Sequence, residues 1–399
     1  MNRTVFSVSR FLAARPMIPA TLLLAATAAW AQLPGIGEDQ RQCWSSVPSP
    51  GFAEPAIALS DLLTERMNGR CAPVATPGEW KAKRRRIQVS WSYLLGNGPS
   101  QPPALQARTL WEEARDGYRL RKLAYRVEAD EEITSYLLIP ERIEGRAPAI
   151  VSCMPTTKHG NAAMIGQAEN EYWWYSIELA RRGYIVLTQE VFSTGERITP
   201  GLQALDTTAL YRKHPDWSML GKMLWDHRRG VDYLESLDSV DRTRIGAIGF
   251  SLGAHNAALL AAYDERIAAA VSNAGIMHFA GSANPFAWAR QAVEEGAGVS
   301  RFTYMAPLRK YLQAGETPTD WHELQALIAP RPYLDMNSVG DTWKSGLAAA
   351  RQLRRLYRFL GAPDAFDYHV YDGGHSFPKP IRERAYAWLD RTLRPRTRR

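Results

Sequence analysis

Cysteine is scarce in this chain, three residues in 399, and no C-x-x-C or H-E-x-x-H spacing occurs. No metal site of those kinds is therefore expected. Long apolar runs are missing too. The run over residues 18–30 is too short to span a bilayer and contains Pro19. Internal repeats and low-complexity tracts are absent, which removes solenoid and array architectures. No aromatic-interleaved basic stripe or nucleic-acid motif occurs, so nucleic acid is not an expected partner.

What is present is ordinary in bulk. With 45% hydrophobic and 23% charged residues, the chain has the make-up of a soluble globular protein. Its length allows one large core, or one core plus an accessory region. Residues 1–31 read as a signal peptide. Arg3, Arg10 and Arg15 give a positive start with no acid, and the apolar run ends in Ala29-Trp30-Ala31 before Gln32. Export to the periplasm or the exterior is expected, with no stable membrane insertion after processing. Cleavage there removes three arginines and no acid, so net charge falls from +8 to +5. The basic run Lys81-Ala82-Lys83-Arg84-Arg85-Arg86 reads as a solvated helix face. Cys43 and Cys71 share a loop-rich segment where an oxidising compartment permits a bridge. Cys153 lies in an apolar strand pattern and reads as a buried free thiol.

Residues 32–118 form an N-terminal annex with helical and irregular patterns. Its better helix runs over 76–95, opened by Thr76-Pro77 with Glu79 placed for a capping box. From residue 119 the pattern becomes that of an α/β domain. Segments 120–127 and 132–139 read as an antiparallel pair around Ala129-Asp130-Glu131. Strands at 149–154, 184–188, 244–250, 267–272, 331–338 and 366–371 then alternate with helical stretches. Such alternation indicates a mostly parallel sheet with helices on both faces. A stretch at about 276–324, rich in aromatics, Gly and Pro, has the length of a lid-like insertion above the sheet's carboxyl edge.

The chemistry centres on Gly249-Phe250-Ser251-Leu252-Gly253. Chance alone yields G-x-S-x-G in roughly one chain of this size in ten, so its setting matters more than its letters. It joins a strand to an apolar helix, where a sharp turn lifts a serine hydroxyl above the sheet. There the Leu252 N–H can face a developing oxyanion. The base expected is His375, in Asp372-Gly373-Gly374-His375 between the last strand and the last helix. Asp341, on a polar turn after the strand 331–338, is the expected acid, with Asp335 as runner-up. His255 is expected to pack beside the sheet. A second oxyanion donor is expected from Thr156 or Thr157, in the loop Met154-Pro155-Thr156-Thr157-Lys158-His159-Gly160. His159, Trp173 and Trp174 are candidates for lining the substrate pocket. Phe279, Phe286, Trp288, Phe302 and Tyr304 read either as pocket wall or as core.

These features resemble the acetylxylan-esterase and dienelactone-hydrolase-like branch of the α/β-hydrolases, from about Trp80 to the C-terminus. The matching features are Gly117-Tyr118, Ser193-Thr194-Gly195-Glu196-Arg197, Asp241-Arg242-Thr243-Arg244-Ile245-Gly246 and Tyr263-Asp264-Glu265-Arg266-Ile267. Ile328-Ala329-Pro330-Arg331-Pro332 and Gly374-His375 complete them. The order Ser251, Asp341, His375 is also that of the α/β-hydrolases. The resemblance implies the α/β-hydrolase fold and hydrolysis of carboxylic esters through an acyl-enzyme, often on acylated carbohydrates. It implies a small-molecule or glycan ester as partner, and no cofactor or metal. The loop Met154-Pro155-Thr156 departs from the pattern, because many relatives carry His-Gly directly at that strand end. Two other readings stand beside this one: a serine peptidase of the prolyl-oligopeptidase type, and a catalytically inactive glycan-binding relative.

Overall fold

A computed structural model describes residues 44–46, 58–67, 70–168, 170–280, 282, 285–289, 302–315, 317–341 and 343–394. The strands before the main sheet are β1 (Trp44–Ser46), β2 (Ala58–Ser60), β3 (Thr64–Met67) and β4 (Arg70–Pro73). The sheet itself uses β5 (Arg108–Arg115), β6 (Tyr118–Glu128), β7 (Glu131–Pro140), β8 (Ala147–Cys153) and β9 (Ile185–Gln189). It continues through β10 (Val240–Phe250), β11 (Ile267–Asn273), β12 (Tyr333–Ser338) and β13 (Phe366–Tyr371). The helices are α1 (Pro77–Leu95), α2 (Tyr175–Arg181), α3 (Thr208–Lys213), α4 (Met219–Glu235) and α5 (Leu252–Tyr263). After these come α6 (Leu308–Gln313), α7 (Trp321–Ala326), α8 (Trp343–Phe359) and α9 (Lys379–Leu393).

The sheet has the order β13-β12-β11-β10-β8-β9-β7-β6-β5. From β9 through β13 neighbouring strands are parallel, while β7, β6 and β5 extend the β9 edge antiparallel. β8 and β9 are buried along their whole length, which is why their sequences read as unbroken apolar runs rather than alternations. The chain leaves β8 to form β9 on one side and returns to form β10 on the other. At such a reversal the loops beyond the carboxyl ends diverge and open a crevice.

The expected hairpin is present as β6 and β7, with Lys122 opposite Tyr136. The sheet, however, also takes in β5, which falls inside the annex expected over residues 32–118. All eight β5 residues are exposed on this edge strand, so it carries no apolar alternation to read. The Thr76 capping box forms: the Glu79 N–H donates to Thr76 Oγ1 at 3.2 Å, and the Thr76 N–H to Glu79 Oε2 at 2.9 Å.

The solvated face expected of α1 is corrected at one position. Lys83 is only 5% exposed, because its ammonium donates to Asp61 O at 2.5 Å and Thr64 O at 2.6 Å. Burial lowers its pKa. Arg84 and Arg86 reach Glu265 and Glu65, and only Lys81 and Arg85 of the run's cations are fully exposed. Lys83 and Arg86 thus tether the segment that precedes the helix, while Lys81 and Arg85 keep the solvated face. Cys71 is disulfide-bonded and Cys153 is buried and free. Cys43 and the signal segment 1–31 lie outside the described residues.

A buried ion cluster ties the β6–β7 turn to α4 and to the loop after β9. Lys222 lies within 2.9 Å of Glu128, 2.8 Å of Glu131 and 2.6 Å of Asp226. Arg197 bridges Glu131 and Asp226 from the other side.

Candidate active site

β10 ends at Phe250 and α5 begins at Leu252, so Ser251 alone makes the turn. It does so at φ 58° and ψ −121°, a conformation that a residue with a side chain holds only when its surroundings enforce it. Three glycines show how they do. A Cβ at Gly249 would stand 2.0 Å from Gly253 O, one at Gly253 2.1 Å from Cys153 O, and one at Gly275 2.3 Å from Ser251 O. Backbone therefore packs on backbone around the serine. The Ser251 N–H donates to Asn273 O at 3.0 Å, and Ser251 O accepts from the Ala254 N–H at 2.9 Å. Leu252 is the first residue of α5, so its N–H has no intrahelical acceptor and sits at the helix's positive end.

The partners of Ser251 arrive by strand register. β12 and β13 pair up to Ser338 opposite Tyr371. The loops beyond them stay joined, with the Val339 N–H donating to Tyr371 O and the Gly340 N–H to Gly373 O, both at 2.9 Å. This brings His375 Nδ1 to 2.8 Å from Asp341 Oδ2, and His375 Nε2 to 2.8 Å from Ser251 Oγ. With Nδ1–H donated to the carboxylate, Nε2 is left to accept the hydroxyl proton. The Asn273 amide and Tyr371 hydroxyl both donate to Ser376 O, at 3.0 and 2.6 Å, and so hold the next residue of the loop. The Phe250 ring backs the imidazole at 4.9 Å between centroids. The His375 side chain is 51% exposed and that of Asp341 18%, so the base meets solvent while the acid is sheltered.

The alternatives go elsewhere. Asp335 points into the core, where it accepts from Ser272 Oγ at 2.9 Å and Gln325 Nε2 at 3.0 Å; burial pushes its carboxyl up to about 6. His255 lies between Trp288 and Trp321, with ring centroids 4.7 and 4.5 Å away, and burial pushes it down to about 3. Trp288 and Phe279 are buried with Trp91 and Trp321 in one aromatic cluster, and Phe302 is buried against Tyr304. These aromatics of the insertion are core. Phe286 is exposed.

On the other side of the crevice, the contact of Gly253 with Cys153 seats the start of α5 against the end of β8. Pro155 has no N–H, so Thr156 and Thr157 offer the first backbone donors beyond Met154. Thr156 Oγ1 lies 3.3 Å from the Tyr304 hydroxyl, and buried Thr157 accepts from the His159 N–H through Oγ1 at 3.2 Å. His159 is exposed, Trp173 half-buried and Trp174 38% exposed, all on the connection from β8 to α2. Sequence reasoning missed Asn273, Gly275 and Tyr371. Each lies at or just beyond a strand end, which is the one signal that points to them.

The model of the Abhydrolase family matches residues 64–384. "Putative hydrolase YtaP" of Bacillus subtilis is 27% identical over 313 residues, 75% of this chain and 96% of that protein. The 4-O-methyl-glucuronoyl methylesterase 1 of Wolfiporia cocos is 24% identical over 398 residues, 94% of this chain and 90% of the other. Among solved structures, a glucuronoyl esterase from Solibacter usitatus superposes with a TM-score of 0.64 at 20% identity. That likeness covers 84% of this chain and 98% of the other, and it is a likeness of fold.

Proposed function

The chain belongs to the Abhydrolase family, and from that premise we propose that it is an exported serine esterase acting on carbohydrate esters. The observation that carries this reading is the hydrogen-bonded series Ser251 Oγ, His375 and Asp341 at the carboxyl edge of the sheet. Ser251 Oγ attacks the ester carbonyl as its proton passes to His375 Nε2, and Asp341 stabilises the imidazolium. The oxyanion faces the Leu252 N–H and an amide of Thr156 or Thr157, and each such donor is worth about 10²–10³ in rate. Collapse releases the alcohol, which takes the proton back from His375. Water then gives up a proton to the same nitrogen as it attacks the acyl-enzyme, and collapse breaks the bond to Ser251 Oγ, which takes that proton back as the acid leaves.

Two relatives support the carbohydrate part of the reading, since both are named as esterases of glucuronoyl esters. Export is supported by the residue pattern over 1–31 and by the bonded Cys71, which fits an oxidising compartment. Among the described residues no helix is long and apolar enough to cross a membrane.

The test is a panel of acetylated sugars, glucuronoyl methyl esters and aminoacyl amides, run with wild type and Ser251→Ala. Ester turnover should fall at least about 10⁴-fold in the variant while folding is unchanged. Retained turnover removes Ser251 from the mechanism. Amide hydrolysis at ester-like rates points to a peptidase instead. Failure of a fluorophosphonate to label folded wild type points to a glycan-binding protein without turnover.

A further inference from the structure

Beyond the Ser251 site, a second polar centre lies where β9 ends. Glu190 follows that strand directly and is 1% exposed. Both carboxylate oxygens lie 3.3 Å from the Asn161 N–H, and Oε1 accepts from the Thr194 hydroxyl at 2.6 Å. Two glycines from two different loops shape its slot. A Cβ at Gly160 would stand 2.2 Å from Glu190 Oε2, and one at Gly195 2.3 Å from the same atom; both glycines hold positive φ, 63° and 48°. The loops also meet directly, since the Gly195 N–H donates to Lys158 O at 3.3 Å.

Lys158 to Asn161 is the far end of the loop that carries Thr156 and Thr157. Its near end is fixed where Gly253 meets Cys153 and Met154. The loop is therefore held at both ends, by the elbow and by Glu190. We propose that Glu190 is a positioning residue of the ester-hydrolysing site: its carboxylate clamps the 158–161 segment and so sets the Thr156 and Thr157 amides toward the acyl oxyanion. This inference rests on the proposed esterase reading.

The clamp is charge-dependent, because every polar group aimed at the carboxylate is a donor. Protonation adds a further donor among donors and removes acceptor capacity. Burial pushes the Glu190 carboxyl up to about 7, although the Thr194 hydroxyl, the Asn161 N–H, Arg197 and the Glu196 N–H all pull it down. The other groups around it are few. Arg197 donates to the Glu190 carbonyl at 3.0 Å and is itself paired with Glu131 and Asp226. The Glu196 side chain turns to Lys122 and Thr134, and the Tyr136 phenol feels the Glu190 charge. Lys158 and His159 on the clamped loop are exposed.

The experiment compares wild type, Glu190→Gln, Thr194→Val and Ser251→Ala on one ester from pH 5.5 to 8.5. Rates are normalised to sites titrated by a fluorophosphonate, and for Ser251→Ala to the concentration of folded protein. At pH 8.5 Glu190→Gln should lose about 10- to 100-fold in kcat with KM nearly unchanged, the effect of misplacing an oxyanion donor by a fraction of an ångström. At pH 5.5, where wild type carries a neutral carboxyl, the kcat ratio of wild type to variant should shrink toward one. Thr194→Val removes one donor and should move the rise of wild-type-like kcat to higher pH. A flat ratio near one across the range overturns the proposal, as does a change confined to thermal stability. If Glu190→Gln does not fold, an unmoved profile in Thr194→Val overturns it equally. Ser251→Ala keeps the two ideas apart: if it is inactive while Glu190→Gln behaves as wild type, the clamp fails and the esterase reading stands.

Discussion

Gly253→Ala tests what holds the nucleophile in place. The added Cβ would lie 2.1 Å from Cys153 O, 2.8 Å from the carbonyl carbon and 3.0 Å from Met154 O. All three are backbone atoms, so no side chain can rotate out of the way. β8 is hydrogen-bonded to β9 and β10 and buried throughout, which leaves α5 as the element that moves. It must lift by about 1 Å to restore ordinary contact. Ser251 moves with it, because Ser251 O accepts from the Ala254 N–H of that helix. A shift of that size stretches the 2.8 Å contact with His375 Nε2 beyond hydrogen-bond length. We expect kcat to fall about 10²-fold and stability to drop by about 1–3 kcal/mol. The assay is steady-state kinetics on an ester that wild type turns over, with urea unfolding followed at constant m. Gly78→Ala is the control. Its Cβ would meet only Thr76 Oγ1, at 3.9 Å within the first turn of α1, and should leave stability equal or slightly higher. Wild-type kcat and midpoint in Gly253→Ala would refute the claim that tight seating of α5 on β8 positions the serine.

Two other substitutions probe the acid and the buried charges. Asp341→Asn should lower kcat by about 10²–10⁴-fold with little change in unfolding midpoint, since the amide no longer holds Nδ1–H and the carboxylate is partly exposed; unchanged kcat would move the acid's role to another residue. Lys222→Met should cost about 3–5 kcal/mol, because Lys222 is 1% exposed and its loss leaves Glu128, Glu131 and Asp226 facing one another; a urea midpoint within error of wild type would show that Arg197 beside Glu131 and Asp226, with Lys213 beside Glu128, balances them without it.

What could be read from the residues alone divides by range. The elbow was legible because its parts are adjacent: a strand, a strained serine and a helix within one short segment. Asp341 and His375 were legible because each stands on a polar turn after an apolar strand, and parallel register then brings such turns together. Asp335 shows the same logic from the other side, since strand alternation already turned it into the core. Interactions between distant polar residues that no strand register brings together were not legible. Lys83 read as one more solvated cation, since nothing local reveals that two carbonyls of the preceding segment fold over it. β5 was lost because a strand exposed on both faces has no periodic burial to imprint on its sequence.

The loop after β8 is the instructive departure. The resemblance read from the sequence leads to an expectation of His-Gly at the strand end, whereas here His159-Gly160 stands farther along, behind Met154-Pro155-Thr156-Thr157-Lys158. Gly160 is needed where it stands: at φ 63° it lies against the Glu190 carboxylate, which a side chain there would strike. Its role in this chain is to let two loops close on a buried charge, and the intervening residues become the span that the charge holds taut. A longer span between the strand and its anchor leaves more backbone to order, so the anchor must be strong. A buried carboxylate whose two oxygens both face the Asn161 N–H and which accepts from the Thr194 hydroxyl is such an anchor. The cost of burying it shows as a pKa near 7 against an ordinary 4.5, on the order of 3 kcal/mol. A glutamate raised in this way withdraws stability from the folded state as pH climbs from about 5 to 7. Retaining a charge that destabilises the fold where the site must work is consistent with a positioning role for it, and Glu190→Gln should gain stability relative to wild type over that same interval.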